Sequence, residues 1–169
     1  MSILKIVPLG PKIDSREALS GKIAYIIRAE AAKPSNIISS TVDKETAYEE
    51  MIASKRAFLS ENNDTFAGRL FYEIIVSLDA QVDINLTAAK AVFYNLERIF
   101  SLELDGTRQV LGAIHTNTEN IHCHYIINTT RITDGKRLTI GLKEMYDIKR
   151  KVGTVLAIYR FSPLRMHAQ

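Results

Sequence analysis

The chain has 169 residues, enough for one domain with its own core, and a 46% hydrophobic content typical of an ordinary globular protein. No apolar run approaches the roughly 20 residues of a bilayer span, and the opening "MSILKIVPLG" is too short and weakly cationic for a secretory signal. A single cysteine, Cys123, excludes an internal disulfide framework and fits a reducing cytoplasm. The net charge is only +3, yet residues 129–169 hold nine Lys/Arg against three acids (Asp134, Glu144, Asp147). A basic quarter of this kind suits a polyanion such as DNA, or equally a solvated helix face.

In chain order, "SILKIVPL" reads as a short strand closed by "GPKIDS". "DSREALSGKIAYIIRAEAAK" reads as a helix with Leu19, Ile23 and Ile26 as its apolar stripe, and with Asp14 and Glu17 spaced as a capping box. "PSNIISSTVD" reads as a loop. "KETAYEEMIASKRAFLSE" is a second helix, with Ala47, Met51 and Phe58 among its apolar positions, and "ENNDTFAG" a polar, mobile loop. "RLFYEIIVSL" has the β-branched and aromatic content of a strand. "NLTAAKAVFYNLERIF" keeps the helical period through Ala89, Val92, Phe93, Leu96, Ile99 and Phe100, with Thr87 as the expected N-cap. "RQVLGAIH" and "IHCHYIINTT" are strands joined by "TNTEN", a connection too short for a parallel crossover, so the pair is antiparallel. "GKRLTI" offers a further short strand, and "LKEMYDIKRKVGTVLAIYR" a last helix. The order β-α-α-β-α-β-β-α predicts a single-domain α/β sandwich, a mainly antiparallel central sheet with flanking helices and a histidine cluster on a central hairpin.

Three of the four histidines fall within ten residues of that hairpin. Side chains alternate along a strand, so His122 and His124 share one face while Ile121, Cys123, Tyr125 and Ile127 share the other, the core face. His115 ends the preceding strand. The three imidazoles can therefore converge at the sheet surface, and imidazole is a good ligand for divalent transition metals. Three protein ligands leave coordination positions open, as a catalytic metal site requires.

"HTNTENIHCHYIIN" resembles the three-histidine motif of relaxases, the mobilisation nucleases of plasmids and integrative elements within the histidine–hydrophobe–histidine endonuclease superfamily. His122-Cys123-His124 fits the paired ligands, His115 the upstream one, and Asn128 the asparagine after the second strand. "KIAYIIRAEAAK" resembles the family's tyrosine segment, "TAYEEMIASKRAF" the helix after it, and "LFYEIIVSL" the strand that usually ends Ser-Phe, here Ser77-Leu78. One departure stands out: Asn117 occupies the place of an acid two residues after the first histidine. The resemblance covers nearly the whole chain, so residues 1–169 read as one relaxase domain, either a minimal protein or the N-terminal part of a longer one.

The resemblance implies a site- and strand-specific DNA nickase and strand transferase that initiates conjugative mobilisation through a 5′-phosphotyrosine. It implies a divalent ion, Mn²⁺ or Mg²⁺, with Zn²⁺, Ni²⁺ or Co²⁺ as candidates, held by His115, His122 and His124, and Asn117 and Asn128 behind the ligands. It implies single-stranded DNA at an origin of transfer as partner, with accessory mobilisation proteins and a coupling protein, in a bacterial cytoplasm away from membranes. Among seven tyrosines, Tyr125 should be core, Tyr94 a rim residue and Tyr72 part of a strand. Tyr25 stands about 120° off the Leu19/Ile23/Ile26 stripe and has Lys22, Arg28 and Lys33 around it. The family motif selects Tyr25 as the catalytic nucleophile, with Tyr48 in reserve. Lys22, Arg28, Lys33, Arg131, Lys136 and Arg137 are the expected DNA-binding residues, lining a groove to the metal. Other readings are a replication initiator nuclease (in which the tyrosine would follow the histidines), a non-catalytic DNA-binding module with a decayed metal site, and a metal-dependent hydrolase of small molecules.

Overall fold

In the computed structural model, which describes residues 1–7, 15–59, 68–79, 85–104 and 107–165, the histidine hairpin is the middle of the sheet. Strand β1 (Ile3–Ile6) lies on one edge, β2 (Ile37–Ile38) on the other, and β3 (Phe71–Ser77), β5 (His122–Arg131) and β4 (Arg108–His115) between them, in the order β1-β3-β5-β4-β2. Every pairing is antiparallel. The register puts Ile3, Ser77, His122 and His115 in one row across four strands, at the end of the sheet where the β4–β5 turn lies.

Strand alternation then sorts the side chains onto two faces. Tyr72, Ile74, Val76, Val110, Ile114, Cys123, Tyr125 and Ile127 meet helices α3 (Leu86–Arg98) and α4 (Leu142–Ile158) in a larger core. Phe71, Leu111, Ala113 and Ile126 meet α1 (Arg16–Ile27) and α2 (Ala47–Arg56) in a smaller one. The molecule is thus helix, sheet, helix, with the three central strands, β3, β5 and β4, buried on both faces. Each large apolar side chain so removed from water contributes about 1.5–3 kcal/mol, enough for the repeated apolar positions of a short helix to hold it down. Tyr125 keeps its hydroxyl satisfied in the larger core by donating to the Phe93 carbonyl at 2.9 Å.

The chain departs from its sequence pattern at several places. Ser15 caps α1, its hydroxyl accepting from the Ala18 amide at 3.1 Å; Asp14 lies outside the described residues, as does the 61–67 part of the loop expected to be mobile. Helix α1 stops at Ile27, because a turn over 28–32 buries Ala31 and Ala32 and Pro34 favours an extended Lys33. The stretch read as loop after Pro34 adds β2, too short to show alternation. Helix α2 ends at Arg56, and Phe58 is half-exposed, its ring lying over Gly135. Gly135 has φ +73° and a Cβ there would stand 2.5 Å from that ring, so a larger residue in the turn is strained and must displace Phe58. Asn85 rather than Thr87 caps α3, accepting from the Thr87 and Ala88 amides. "GKRLTI" contributes only a bridge, Thr130 to Arg137. No described helix is long and apolar enough to cross a membrane.

Candidate active site

Alternation along β5 aims His122 and His124 at the α1/α2 face, and the hairpin register sets His115 directly across from His122. The three rings stand 4.6–5.2 Å apart by their centroids, and one ring nitrogen from each lies within 4.8 Å of the others. The sequence places the cluster at the sheet surface, but that surface is not open. Helix α1 roofs it: His115 and His124 are 3% and 6% exposed, and only His122 reaches water substantially. The reason is that the chain covers both faces of the sheet, so a side chain off the larger core does not fall on open surface.

Each imidazole is held through one nitrogen. His115 Nε2 donates to the Ile26 carbonyl at 2.8 Å, His122 Nδ1 to the Asn120 carbonyl at 3.0 Å, and His124 Nδ1 to a Glu73 oxygen at 2.8 Å. Those partners accept only, so the named nitrogens carry protons, and in a neutral ring the lone pair is on the opposite one: Nδ1 of His115 and Nε2 of His122 and His124. Burial holds His115 and His122 below the ordinary imidazole range, reinforced by the neighbouring histidines. Three ring nitrogens that converge, each ring backed by an oxygen, suit a divalent transition ion, and the donor set fits one.

Glu73, on β3, is the member of the site that the motif does not announce. It is 1% exposed; one oxygen accepts from His124 Nδ1 at 2.8 Å and the other pairs with Lys22 Nζ at 3.0 Å. Burial alone would raise its carboxyl, but the bonds from His124 and Lys22 outweigh that and keep it lowered and ionised. Tyr25 projects from the outer side of α1, 43% exposed, its ring edge-on to His124 at 6.2 Å. Arg28 lies over the same ring at 4.3 Å and Lys22 at 5.4 Å. A tyrosine, three convergent nitrogens and two cations thus share one end of the sheet.

A family model, the nuclease domain of MobA/VirD2-like relaxases, matches residues 25–155. The chain belongs to that family. No curated protein sequence matches it. Among the solved structures that share its fold are two of the MobM relaxase domain (MOBV; Mob_Pre) bound to plasmid pMV158 oriT DNA with Mn, at pH 5.5 and pH 4.6. The first is 14% identical with a TM-score of 0.63, covering 99% of this chain and 93% of that one. The second is 13% identical with a TM-score of 0.59, covering 98% and 90%.

Other expected residues of this relaxase domain stand elsewhere. Asn117 is exposed in the β4–β5 turn, and the carboxylate behind an imidazole comes from Glu73. Asn128 is six positions along β5 from His122 and binds the Met51 carbonyl, Ser54 and Gln109, so it fastens α2 to the sheet and sits behind no histidine. Tyr48 lines a groove of about 310 Å³ between α1 and α2 with Ile23, Ala24 and Ile27, on another flank of α1 from the histidines. Lys33 is exposed shortly beyond α1.

The expected groove of six cations does not form. Arg131 pairs in register with Arg108 at the far end of β5, about 30 Å from His122 at roughly 3.3 Å per residue. Arg131 also holds Asp134 at 3.3 Å, and Lys136 and Arg137 line a cavity of about 470 Å³ against α4 with Lys143, Glu144 and Asp147. Closeness in sequence to the histidine strand misled here: a ten-residue strand carries its two ends to opposite edges of the molecule.

Proposed function

We propose that this relaxase domain nicks one strand of DNA at an origin of transfer, with Tyr25 as the nucleophile, in a bacterial cytoplasm. The observation that carries the reading is the place of Tyr25: on the helix that roofs the histidines, edge-on to His124, within a family of relaxase nuclease domains. His115 Nδ1 and Nε2 of His122 and His124 would hold a divalent ion, Mn²⁺ fitting the nitrogen donors better than Mg²⁺. Such an ion polarises a scissile phosphate. Glu73 keeps the His124 proton on Nδ1, which frees Nε2, and α1 excludes water from the buried side of the cluster.

In the reaction the Tyr25 oxygen forms a bond to phosphorus and the bond from phosphorus to the 3′ oxygen breaks. The phenol proton leaves to solvent, the 3′ oxygen gains one, and the DNA keeps its phosphodiester energy as a 5′-phosphotyrosine, so the strand can be rejoined. Lys22, Arg28 and Lys33 supply positive charge along the path of the strand toward Tyr25.

The test is a denaturing gel of labelled oligonucleotide from a cognate origin, incubated with Mn²⁺. Tyr25→Phe should abolish the denaturant-resistant adduct while DNA and metal affinity persist, since only a hydroxyl is lost. Tyr48→Phe should retain substantial activity. An adduct that survives Tyr25→Phe moves the nucleophile elsewhere, and a wild type that binds DNA without ever forming an adduct is a binding module.

A further inference from the structure

Tyr25 and Arg28 are three residues apart, the spacing at which helix side chains meet. Arg28 follows the last residue of α1, and its backbone leaves the helical region there (φ −56°, ψ 140°). The guanidinium carbon stands 4.3 Å from the Tyr25 ring centroid. Among the described residues no carboxylate pairs with it, and the side chain is exposed. Lys22, on the previous turn, is 5.4 Å from the same ring, but its ammonium is committed to Glu73. So two cations flank the tyrosine, one engaged by a buried acid and one resting on the ring and exposed to solvent.

We propose that Arg28 is a positioning residue for Tyr25: it lies on the phenol ring, fixes the ring beside the histidine cluster, and offers its N–H edge to the phosphate that Tyr25 attacks. The inference rests on the reading of Tyr25 as the nucleophile. A guanidinium can do both at once because it is planar, stacks on aromatic faces and presents its donors in a fixed fork that matches phosphate. A lysine ammonium is a compact, strongly hydrated point charge and can supply only the charge. The phenol is attached through two rotatable bonds and is 43% exposed, so without a plane against it the hydroxyl would sample positions away from the phosphate. Misplacement of a reacting group by about 1 Å costs on the order of 100-fold in rate.

The test compares wild type, Arg28→Lys, Arg28→Ala and Tyr25→Phe on one cognate oligonucleotide with Mn²⁺, measuring adduct formation at saturating DNA and DNA affinity separately. Arg28→Lys and Arg28→Ala should both lose about 100-fold in rate at saturation. Arg28→Lys should hold DNA affinity near wild type. Added guanidinium should restore part of the Arg28→Ala rate, and ethylammonium should not. A ¹⁹F signal from 3-fluorotyrosine at position 25 should shift in both Arg28 variants without metal or DNA, which reads the stack independently of nicking. An Arg28→Lys variant at the wild-type rate, or a loss confined to DNA affinity, overturns the proposal while leaving the nucleophile in place. An adduct persisting in Tyr25→Phe overturns the nucleophile itself, and the proposal with it.

Discussion

A carboxylate buried on a central strand is costly unless both oxygens are engaged, and those of Glu73 are, by His124 and Lys22. The residue therefore ties three elements together: β3 carries it, β5 presents the imidazole, and α1 supplies the lysine. Glu73→Gln keeps the shape and removes the charge that makes His124 a better donor to a metal. Mn²⁺ affinity, followed by titration calorimetry, should fall about 10–100-fold, as it does when a residue behind a metal ligand is lost. Unchanged affinity would mean that the carboxylate only anchors Lys22. The histidines themselves are legible from sequence because alternation on a hairpin is a strict geometric rule. Glu73 is not, since its partner is 51 residues away. The available signal was a lone acid inside the apolar run "LFYEIIVSL", at a strand position of the same parity as Ile75 and so facing the histidines across the ladder. A charge in such a run needs a partner, and the unclaimed imidazole was the natural one.

Helix α3 is held against the edge of the sheet by a second buried acid. Glu97 accepts from the amide and hydroxyl of Ser40 at 3.1 and 2.9 Å, and so pins the segment that follows β2. Ser39 and Thr41 complete the clasp by bonding the Val110 backbone. Burial raises the Glu97 carboxyl above its ordinary value despite the bonds from Ser40. Between the ordinary value and the raised one, the folded chain holds a proton that the unfolded chain has released, so this group's contribution to stability falls as pH rises through that window. Glu97→Gln has no charge to bury. Relative to wild type it should be more stable near about pH 7 than near about pH 4, where both residues are neutral. Thermal melts at the two pH values check this, and a difference independent of pH refutes it. The long helices and strands show in the sequence because packing repeats over several turns. β2 does not, because it is two residues long and depends on distant partners, Gly112 and Ala113.

At the scale of the molecule, the two ends of the sheet differ in chemistry. One end gathers the histidines, Tyr25, Lys22 and Arg28; the other gathers Arg131, Lys136 and Arg137, about 30 Å away by strand length. A short oligonucleotide confined to the nick site reaches the first end and not the second. Plotted as log affinity against log salt, its binding should lose roughly 0.7 of slope for each phosphate contact removed. Lys33→Glu should therefore flatten the slope, and Lys136→Glu with Arg137→Glu should leave it alone, as read by fluorescence anisotropy. An equal effect of the second pair would show that DNA runs the whole length of the sheet. Net charge and a basic tail hinted at a polyanion, but could not say which cations meet it; that depends on strand direction, which local composition does not encode.

The row that joins Ile3 to Ser77, His122 and His115 has a practical corollary for anyone handling the protein. Two strand spacings, about 10 Å, separate β1 from His122 in that row. The Met1 amine contacts Asp79 just past the end of β3, and Leu164 bridges to Ser2 on the same edge. A hexahistidine leader fused ahead of Met1 would therefore set six more imidazoles within a few residues' reach of the cluster. Nickel-affinity resin would load and strip ions where the measurement is to be made. Metal titrations are best run on protein with the tag cleaved, or purified on heparin.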